Sequence, residues 1–316
     1  MQLTESGKFL QIDKEKLEKI KFYIQNSKSK NTQRSYASDW KHFTEWCELN
    51  GRDPLPASAG TLCLYLSELA TTHKYSTIRR RVSSINMAHK FKHLLPPSKE
   101  VEVQALLEGI KREIGTRQEP KKALMLQVLP ALIDKIDIST LIGVRDKAIL
   151  LLGFALASRR SELVSIDIED LEINDFGMDV RVRETKTKND DLIKGVVYTY
   201  NEFCPVKATK EWIKISKTTT GALFRSIDRH GNIKERLSDK SVALIIKKYI
   251  GELGMDVNDF AAHSLRSGLS TSAAMMGMTE IAIMKQTGHK TREMVDRYVQ
   301  AGLRYKNNAS SILKNL

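Results

Sequence analysis

The chain of 316 residues is long enough for one large or two ordinary domains, and its contents of 41% hydrophobic and 28% charged residues are those of a soluble globular protein. No stretch approaches the roughly 18 uninterrupted apolar residues that a membrane-spanning helix needs, which excludes such a span. The net charge of +13 indicates a polyanionic partner, of which nucleic acid is the commonest, and charge that only serves solubility is the alternative.

Metal, disulfide and export signals are weak in this sequence. Cys47, Cys63 and Cys204 are far apart and form no Cys-x-x-Cys pair, which is typical of reduced thiols and indicates neither a disulfide framework nor a zinc site. His89 and His93 have the spacing of a metal pair, but no third ligand is evident. The N-terminus lacks a basic start followed by an apolar run, so no secretory signal is expected. These features predict a cytoplasmic, nucleoid-associated protein without metal or cofactor.

The N-terminal third of the chain has helical periodicity. Leu17, Ile20 and Ile24 predict a short helix on a loosely held leader within residues 1–28. Asn31 is expected to cap the next helix, along which apolar side chains recur at steps of four, three and four. This core-facing stripe consists of Tyr36, Trp40, Phe43 and Cys47.

Basic side chains on these helices are candidates for contacts with DNA phosphates. Three of them are consecutive, near the start of a helix that Ser76 and Thr77 are expected to open. The helix dipole disfavours cations at that end, and an anionic partner would offset the penalty; a solvated charged face is the alternative. The candidates are Arg34, Lys41, Arg79, Arg80 and Arg81.

A domain boundary is expected near the middle of the chain. After a helix predicted over residues 103–114, the polar stretch 115–122 contains glycine and proline. We therefore predict two domains, residues 1–116 and 117–316. A basic linker between two basic domains would let them close around a duplex.

The second domain is predicted to mix helices with a small sheet. Met178, Val180 and Val182 alternate with polar residues, which indicates a half-buried strand, and a turn at residues 188–191 would lead into a second strand. A lysine on such a hairpin is usually only solvated. Lysines that the hairpin could present to a ligand are Lys186, Lys188 and Lys194. Helices are predicted over residues 126–136, 144–156, 205–216 and 238–253.

Two adjacent arginines follow the apolar helix 144–156. Glu162, three positions after Arg159, is placed to orient a neighbouring basic group. The alternative is that Arg159 or Arg160 only pairs with Glu162 or Asp167. A guanidinium at this position would be suited to binding a phosphate, because it offers rigid paired donors and stays protonated.

The C-terminal part contains His263, Arg266, His289 and Tyr298. Guanidinium groups can balance the charge of a five-coordinate phosphorus. A phenol with its ordinary pKa of about 10 is a poor nucleophile at neutral pH, so nearby cations and a base must help it ionise. This order of residues predicts phosphodiester cleavage with a tyrosine nucleophile. Tyr298 is the candidate for this role, and Tyr305 is the competing candidate. Structurally satisfied histidines are the alternative.

These residues and their neighbours resemble the motifs of the tyrosine recombinase, or phage integrase, family. In chain order the matching motifs are Arg159-x-x-Glu162-Leu163, His263-x-x-Arg266, Gly288-His289 and Tyr298. The segment from Asn31 to Tyr36, with Trp40, Phe43 and Trp46, is similar to the family's N-terminal DNA-binding domain, so the resemblance covers nearly the whole chain. It implies a two-domain, mainly α fold: an N-terminal helical core-binding domain of SAM-like type and a mixed α/β catalytic domain with a small antiparallel sheet.

The resemblance also implies the function and the site. It implies a site-specific DNA recombinase that cleaves and rejoins strands through a covalent 3′-phosphotyrosine without metal or ATP, in integration, excision or resolution of a mobile element, phage or plasmid. The implied partners are double-stranded DNA with paired recombination sites, a homo-tetramer on that DNA, and accessory DNA-bending proteins in some systems. The implied catalytic residues are Arg159, Lys186, His263, Arg266, His289 and Tyr298.

Several alternatives stay open at this point. Lys188 and Lys194 compete with Lys186, whereas Tyr298 is favoured over Tyr305 because it has the family's distance from His289. A type IB topoisomerase or a telomere resolvase would use the same chemistry on one duplex. A catalytically silent DNA-binding regulator would keep the fold alone, although the complete set of catalytic residue types argues against it.

Overall fold

The computed structural model describes residues 27–116, 121–183, 192–289 and 291–303, together with Lys16, Glu18, Lys19, Phe22, Tyr23, Ser310 and Leu313. By its internal contacts the chain divides into two compact units, residues 1–119 and 120–316. As functional domains, residues 1–116 and 117–316 stay a prediction. Outside the described residues lie Leu17, Ile20, Ile24, Lys186, Lys188, Tyr305 and the expected turn at 188–191.

The first unit is helical. Its helices are α1 (Lys30–Leu49), α2 (Ala59–Thr72), α3 (Tyr75–Phe91) and α4 (Val101–Ile114). Helix α1 packs on α3, and α2 packs on α4. The apolar stripe predicted for α1 faces this core, because Phe43 and Cys47 are fully buried and Tyr36 and Trp40 are half-buried. Burial of such a stripe is what stabilises a short helix in water.

The expected cap of α1 at Asn31 is wrong. The helix begins at Lys30, and its N-cap is Ser29. The Ser29 hydroxyl accepts a hydrogen bond from the backbone N–H of Thr32 at 3.3 Å, which satisfies one of the free donors of the first turn. A serine two positions earlier therefore takes the role that the asparagine was expected to have.

Arg81 lies inside the first unit. Only 8% of it is exposed. Its guanidinium donates hydrogen bonds to the Tyr65 hydroxyl at 2.9 Å, to the His42 ring at 2.9 Å and to the His73 ring at 3.2 Å. The expectation that Arg81 faces DNA is therefore corrected, because its donors are directed at the protein's own polar groups.

His89 also has a structural role. It is fully buried. Its Nε2 accepts from the backbone N–H of Ala57 at 2.9 Å, and its Nδ1 lies 2.9 Å from the carbonyl of Ile85, so both ring nitrogens have backbone partners. Within the described part of the chain, no group of three or more potential metal ligands is present.

The second unit combines helices with small sheets. Strands β1, β2 and β3 form one antiparallel sheet in that order, and β4 pairs antiparallel with β5. No described helix of either unit is long and apolar enough to cross a bilayer. The elements are α5 (Leu129–Asp134), α6 (Leu141–Ala155), α7 (Arg160–Ser165), β1 (Leu171–Ile173), β2 (Gly177–Val182), β3 (Leu192–Val197), α8 (Pro205–Ser216), β4 (Arg225–Ile227), β5 (Ile233–Arg236), α9 (Asp239–Glu252), α10 (His263–Met275), α11 (Glu280–Thr287) and α12 (Glu293–Leu303).

Two predictions for this unit are corrected. Helix α5 is shorter than the predicted span 126–136, because the backbone N–H of Leu126 donates to Ser272 Oγ at 3.0 Å and Pro130 is suited only to the first helical turn. The stretch between the helices predicted over residues 205–216 and 238–253, where no strand was predicted, contains the β4–β5 hairpin. Its strands are too short for their apolar alternation to be recognised.

Helix α6 runs through the core of the second unit, as its apolar sequence predicted. It packs on α8 and on α10. At its end Ala157, fully buried, adopts a left-handed backbone conformation with φ of +45°. This conformation is uncommon for a residue other than glycine and turns the chain towards Arg159.

Gly268 allows α10 to approach the chain segment that precedes α5. A Cβ at this position would lie 1.8 Å from the carbonyl oxygen of Leu124, whose own N–H donates to Ser264 O at 2.9 Å. We expect Gly268→Ala to lower the free energy of unfolding by about 3 kcal/mol, because the backbone must shift to admit a methyl group.

Urea denaturation of the full chain measures this change. The matched control is Gly109→Ala in α4, where an added Cβ meets nothing within 4 Å. Alanine should be neutral or stabilising there, by up to about 1 kcal/mol. Equal stability of the two variants would show that the close approach at Gly268 is not required.

Candidate active site

Five of the six predicted catalytic residues come together in the second unit. Arg159 follows α6, and His263 and Arg266 lie one turn apart at the start of α10. His289 follows α11, and Tyr298 lies on α12, which packs against α10. The sixth, Lys186, is outside the described residues.

Arg266 is almost fully buried, with 1% of the residue exposed. Its Nη1 donates to the carbonyl of Ala157 at 2.8 Å, and its Nη2 donates to Nε2 of His289 at 2.8 Å. Burial, and then the charge of Arg159, lower its pKa from the ordinary value for arginine. The guanidinium is thus held by two fixed acceptors, which orients a rigid group of donors within the site.

Hydrogen bonds define the protonation state of His289. An arginine can only donate, so Nε2 accepts from Arg266. Thr287 Oγ1 lies 2.8 Å from Nδ1 and itself donates to the carbonyl of Ile283 at 2.7 Å, so Nδ1 carries the proton. Burial, followed by the charges of Arg266 and Arg159, lowers the pKa of His289 to about 4. His289 is therefore neutral and holds Arg266 in place.

Gly288 allows the chain to reverse after α11. It has φ of +69° and donates its N–H to the carbonyl of Met284 at 2.8 Å, the left-handed helix ending that glycine adopts most readily. The same carbonyl accepts from the N–H of His289 at 3.2 Å. The Gly288-His289 pair thus directs the imidazole back towards α10.

His263 lies next to the Tyr298 hydroxyl, with 3.2 Å between Nε2 and that oxygen. The ring of Tyr298 stacks on that of His289, with 5.9 Å between centroids. Partial desolvation, and then the charges of Arg266 and Arg159, lower the pKa of His263 below its usual range. A neutral imidazole at this distance can accept the proton of the phenol.

We expect strand cleavage to require neutral His263. Because its folded pKa lies below 6.5, the rate should change little as the pH falls to 6.5 and should decline below that value, when protonation removes the acceptor. Single-turnover cleavage from about pH 5 to 8 measures this. His230→Ala, at an exposed histidine in the β4–β5 turn, is the control and should keep the wild-type profile. A half-maximal rate reached already above pH 7 would contradict the prediction.

The two adjacent arginines point to different partners. Arg159 forms an ion pair with Glu162, whose carboxylate also accepts from the Arg159 backbone N–H at 2.9 Å. Its side chain stays 54% exposed, and its charge acts on both site histidines. Arg160 instead pairs with Asp239 of α9 at 3.0 Å. Arg159 thus forms the pair with Glu162 that the alternative named and also lies at the site, whereas Arg160 has a partner that the alternative did not name.

Lys194 differs from the solvated hairpin lysine that was expected. It is 2% exposed, and its Nζ donates to the carbonyl of Leu156 at 3.0 Å. Its partner in the sheet is Val180, a core residue, so it occupies an inward position of β3. Sequence reasoning also missed Thr287 and the carbonyl of Ala157. Only the proximity of Thr287 to His289 in the sequence could have indicated its role.

Of the DNA-contact candidates in the first unit, Arg34, Lys41 and Arg79 are exposed. Lys41 lies 3.6 Å from Glu45, an exposed pair that contributes little to stability and that a phosphate could replace. Arg80 pairs with the buried Asp39 and keeps 42% of its side chain exposed. These four side chains can reach an external anion, in contrast to Arg81.

The family model of the phage integrase family matches residues 122–303. The chain belongs to the phage integrase family. It is 41% identical over 306 residues to the integrase/recombinase xerD homolog of Selenomonas ruminantium, covering 94% of this chain and 89% of that protein. It is 26% identical over 304 residues to the tyrosine recombinase XerC of Myxococcus xanthus, covering 90% and 92%.

Two solved structures have a similar fold. The Tn1549 transposon integrase in complex with transposon right end DNA has a TM-score of 0.62 at 16% identity and covers 95% of this chain and 96% of its own. A lambda integrase dimer bound to a COC′ core site has a TM-score of 0.63 at 14% identity, covering 93% and 77%. The predicted family, the fold class and the class of enzyme, a tyrosine-type DNA recombinase, are confirmed.

Proposed function

We propose that this chain recombines DNA at specific sites through a covalent 3′-phosphotyrosine formed at Tyr298. The observation that carries this proposal is the Tyr298 hydroxyl at 3.2 Å from His263 Nε2, in a site that also contains Arg159 and Arg266. A nucleophile within hydrogen-bond reach of a base is the arrangement that nucleophilic catalysis needs. Family membership supports DNA as the substrate.

In the cleavage step, Tyr298 transfers its proton to His263, and its oxygen forms a bond to phosphorus. The bond from phosphorus to the 5′ oxygen breaks. Arg159 and Arg266 bind the non-bridging oxygens and balance their charge. The leaving 5′ oxygen takes a proton from Lys186, for which Lys188 is the competing donor. The products are a 3′-phosphotyrosine and a free 5′-hydroxyl.

Rejoining reverses these steps with another strand. The 5′-hydroxyl of the partner strand gives its proton to the lysine, and its oxygen forms a bond to phosphorus. The bond from phosphorus to the Tyr298 oxygen breaks, and the phenolate recovers its proton from His263. Because the phosphotyrosine keeps the energy of the broken phosphodiester, the proposed cycle has no step for ATP. Repeated exchanges recombine two sites, with four protomers assembled on them and exposed cations of the first unit on the DNA backbone: Arg34, Lys41, Arg79 and Arg80.

The biological context that fits this chemistry is integration or excision of a mobile element. Support comes from two structural neighbours, because the Tn1549 integrase is bound to transposon right end DNA and the lambda integrase to a core site. Both have the fold of this chain. We infer that this chain likewise acts on double-stranded DNA with paired recombination sites.

A covalent trapping assay tests the proposal. A randomised, radiolabelled duplex library with nicks is incubated with the full chain in EDTA and then separated on a denaturing SDS gel. The nick lets the short cleaved end diffuse away, so we expect labelled DNA to migrate with the protein. Native binding without any covalent adduct would favour a DNA-binding regulator. In a second assay on intact supercoiled plasmid, relaxation without joint products between duplexes would favour a type IB topoisomerase.

A further inference from the structure

The end of α6 has three consecutive backbone carbonyls, those of Ala155, Leu156 and Ala157, that accept hydrogen bonds from other elements. Gln286 of α11 donates to Ala155 O, Lys194 of β3 donates to Leu156 O, and Arg266 of α10 donates to Ala157 O. The last carbonyls of a helix have no partner within the helix and carry its negative dipole end, so cationic donors are favourable there.

This junction directs the chain into the site. Ala157 has the left-handed φ of +45° and is fully buried, and Arg159 follows two residues later with extended φ and ψ. A strained backbone of this kind persists only where its surroundings determine it. Lys194 and Arg266 hold the carbonyls of the two peptide groups that flank the Cα of Ala157, so both contribute to the direction of the turn.

The burial of Lys194 favours a role in the site over a role in stability. Lysine is rarely buried, because its ammonium loses hydration, and an apolar side chain of similar length would fill this inward position of β3 without that penalty. Charged groups of the site act on the Lys194 ammonium: Glu162 attracts it, and Arg266 and Arg159 repel it. The lysine therefore adds a cation close enough to interact with the two arginines that we propose to bind phosphate.

Resting on the proposed function, we propose that Lys194 is a positioning residue that holds the carbonyl of Leu156 and so keeps the turn between Ala157 and Arg159 in its active conformation. The same contact anchors β3, which follows in sequence the segment that contains Lys186. Gln286 strengthens this connection, because it also donates to the carbonyl of Gly195 at 3.3 Å. Lys194 acts through its neighbours, whereas the hairpin lysine would touch the substrate.

The first test compares the single-turnover cleavage of a nicked duplex by Lys194→Met, Lys194→Arg and wild type. We expect the methionine variant to bind DNA as wild type does and to cleave about 10- to 100-fold more slowly, which is the effect of a small misplacement of catalytic groups. The arginine variant keeps a cation and a donor and should recover part of the rate. Lys210→Met, at an exposed lysine of α8, is the matched control.

The pH dependence of the cleavage rate distinguishes a role of the Lys194 charge from a role of its packing alone. Burial lowers the pKa of Lys194 to about 8, and the other charged groups around it are Glu162 on α7, Arg159 before α7 and Arg266 on α10. The ratio of the wild-type cleavage rate to the Lys194→Met rate should decrease as the pH rises from about 7 to about 9.5. Over this range wild type loses the charge of the Lys194 ammonium, which the methionine variant never has. His289 stays neutral throughout this range.

A third measurement does not require cleavage. Hydrogen exchange of the peptide that contains residues 155–163 should be faster in Lys194→Met than in wild type and unchanged in Lys210→Met. A methionine variant that cleaves within about twofold of wild type, or that leaves this exchange unchanged, overturns the inference. If wild type forms no covalent adduct, the proposed function fails, whereas the exchange measurement still decides whether Lys194 positions the turn.

Discussion

Replacing Tyr298 by phenylalanine is expected to abolish strand cleavage while DNA binding is retained. The substitution removes only the hydroxyl that lies 3.2 Å from His263. The ring that stacks on His289, and the packing of α12 on α10, should persist because the two side chains have nearly the same shape. Loss of a nucleophile costs roughly four orders of magnitude in rate or more, so no covalent adduct should be detectable.

The matched control for this change is Tyr305→Phe, at the competing tyrosine of the sequence. Both variants are incubated with the nicked duplex, and the covalent adduct is quantified on an SDS gel. Digestion and mass spectrometry of the wild-type adduct should place the nucleotide on the peptide that contains Tyr298. An adduct formed by Tyr298→Phe but not by Tyr305→Phe would reverse the assignment of the nucleophile.

Arg266→Lys is expected to lower the cleavage rate by about 100- to 1,000-fold, the usual effect of removing a fixed donor from a developing negative charge. In the wild-type protein, the Arg266 guanidinium donates hydrogen bonds to Ala157 O and to His289 Nε2, and it also belongs to the predicted phosphate site. A lysine keeps the positive charge but has a single ammonium without the planar fork. His289 would then lose the donor that fixes its orientation.

Single-turnover rates at saturating protein, with DNA affinity measured in parallel, test this change. Arg160→Lys is the control, because Arg160 pairs with Asp239 on the exposed side of α7 and should change the rate by less than about threefold. Thermal melting of both variants shows whether a loss of rate reflects unfolding. Equal rates for the two lysine variants would show that the buried guanidinium is not part of the chemistry.

The sequence was sufficient to predict most helices of the second unit, and five of the residues selected by its motifs lie together there, while their catalytic roles stay a prediction. Strong apolar periodicity predicted α6, α8 and α9 close to their observed bounds, because local spacing determines which face of a helix is buried. The motif spacing also selected Arg159 over Arg160. What could not be predicted depends on contacts between distant segments: the acceptors at the end of α6, the donor on Thr287, and the burial of Lys194.

The three consecutive arginines of α3 show the same limit of prediction from the sequence. Successive side chains of a helix point about 100° apart, so three neighbours cannot all face one partner. In the structure Arg79 is exposed, Arg80 reaches Asp39 and Arg81 points into the core. Composition indicated a basic segment correctly, but the direction of each side chain depended on the packing of α3 against α1.

The internal position of Arg81 makes the first unit sensitive to acid. Its guanidinium only donates, so His42 and His73 must accept with unprotonated ring nitrogens. Partial desolvation, and then the charge of Arg81, lower the pKa of both histidines. The unfolded chain therefore takes up protons at a higher pH than the folded unit does. By thermodynamic linkage, the contribution of these two histidines to the stability of this unit is fully present above their ordinary pKa of about 6.5 and is lost as the pH falls below that value.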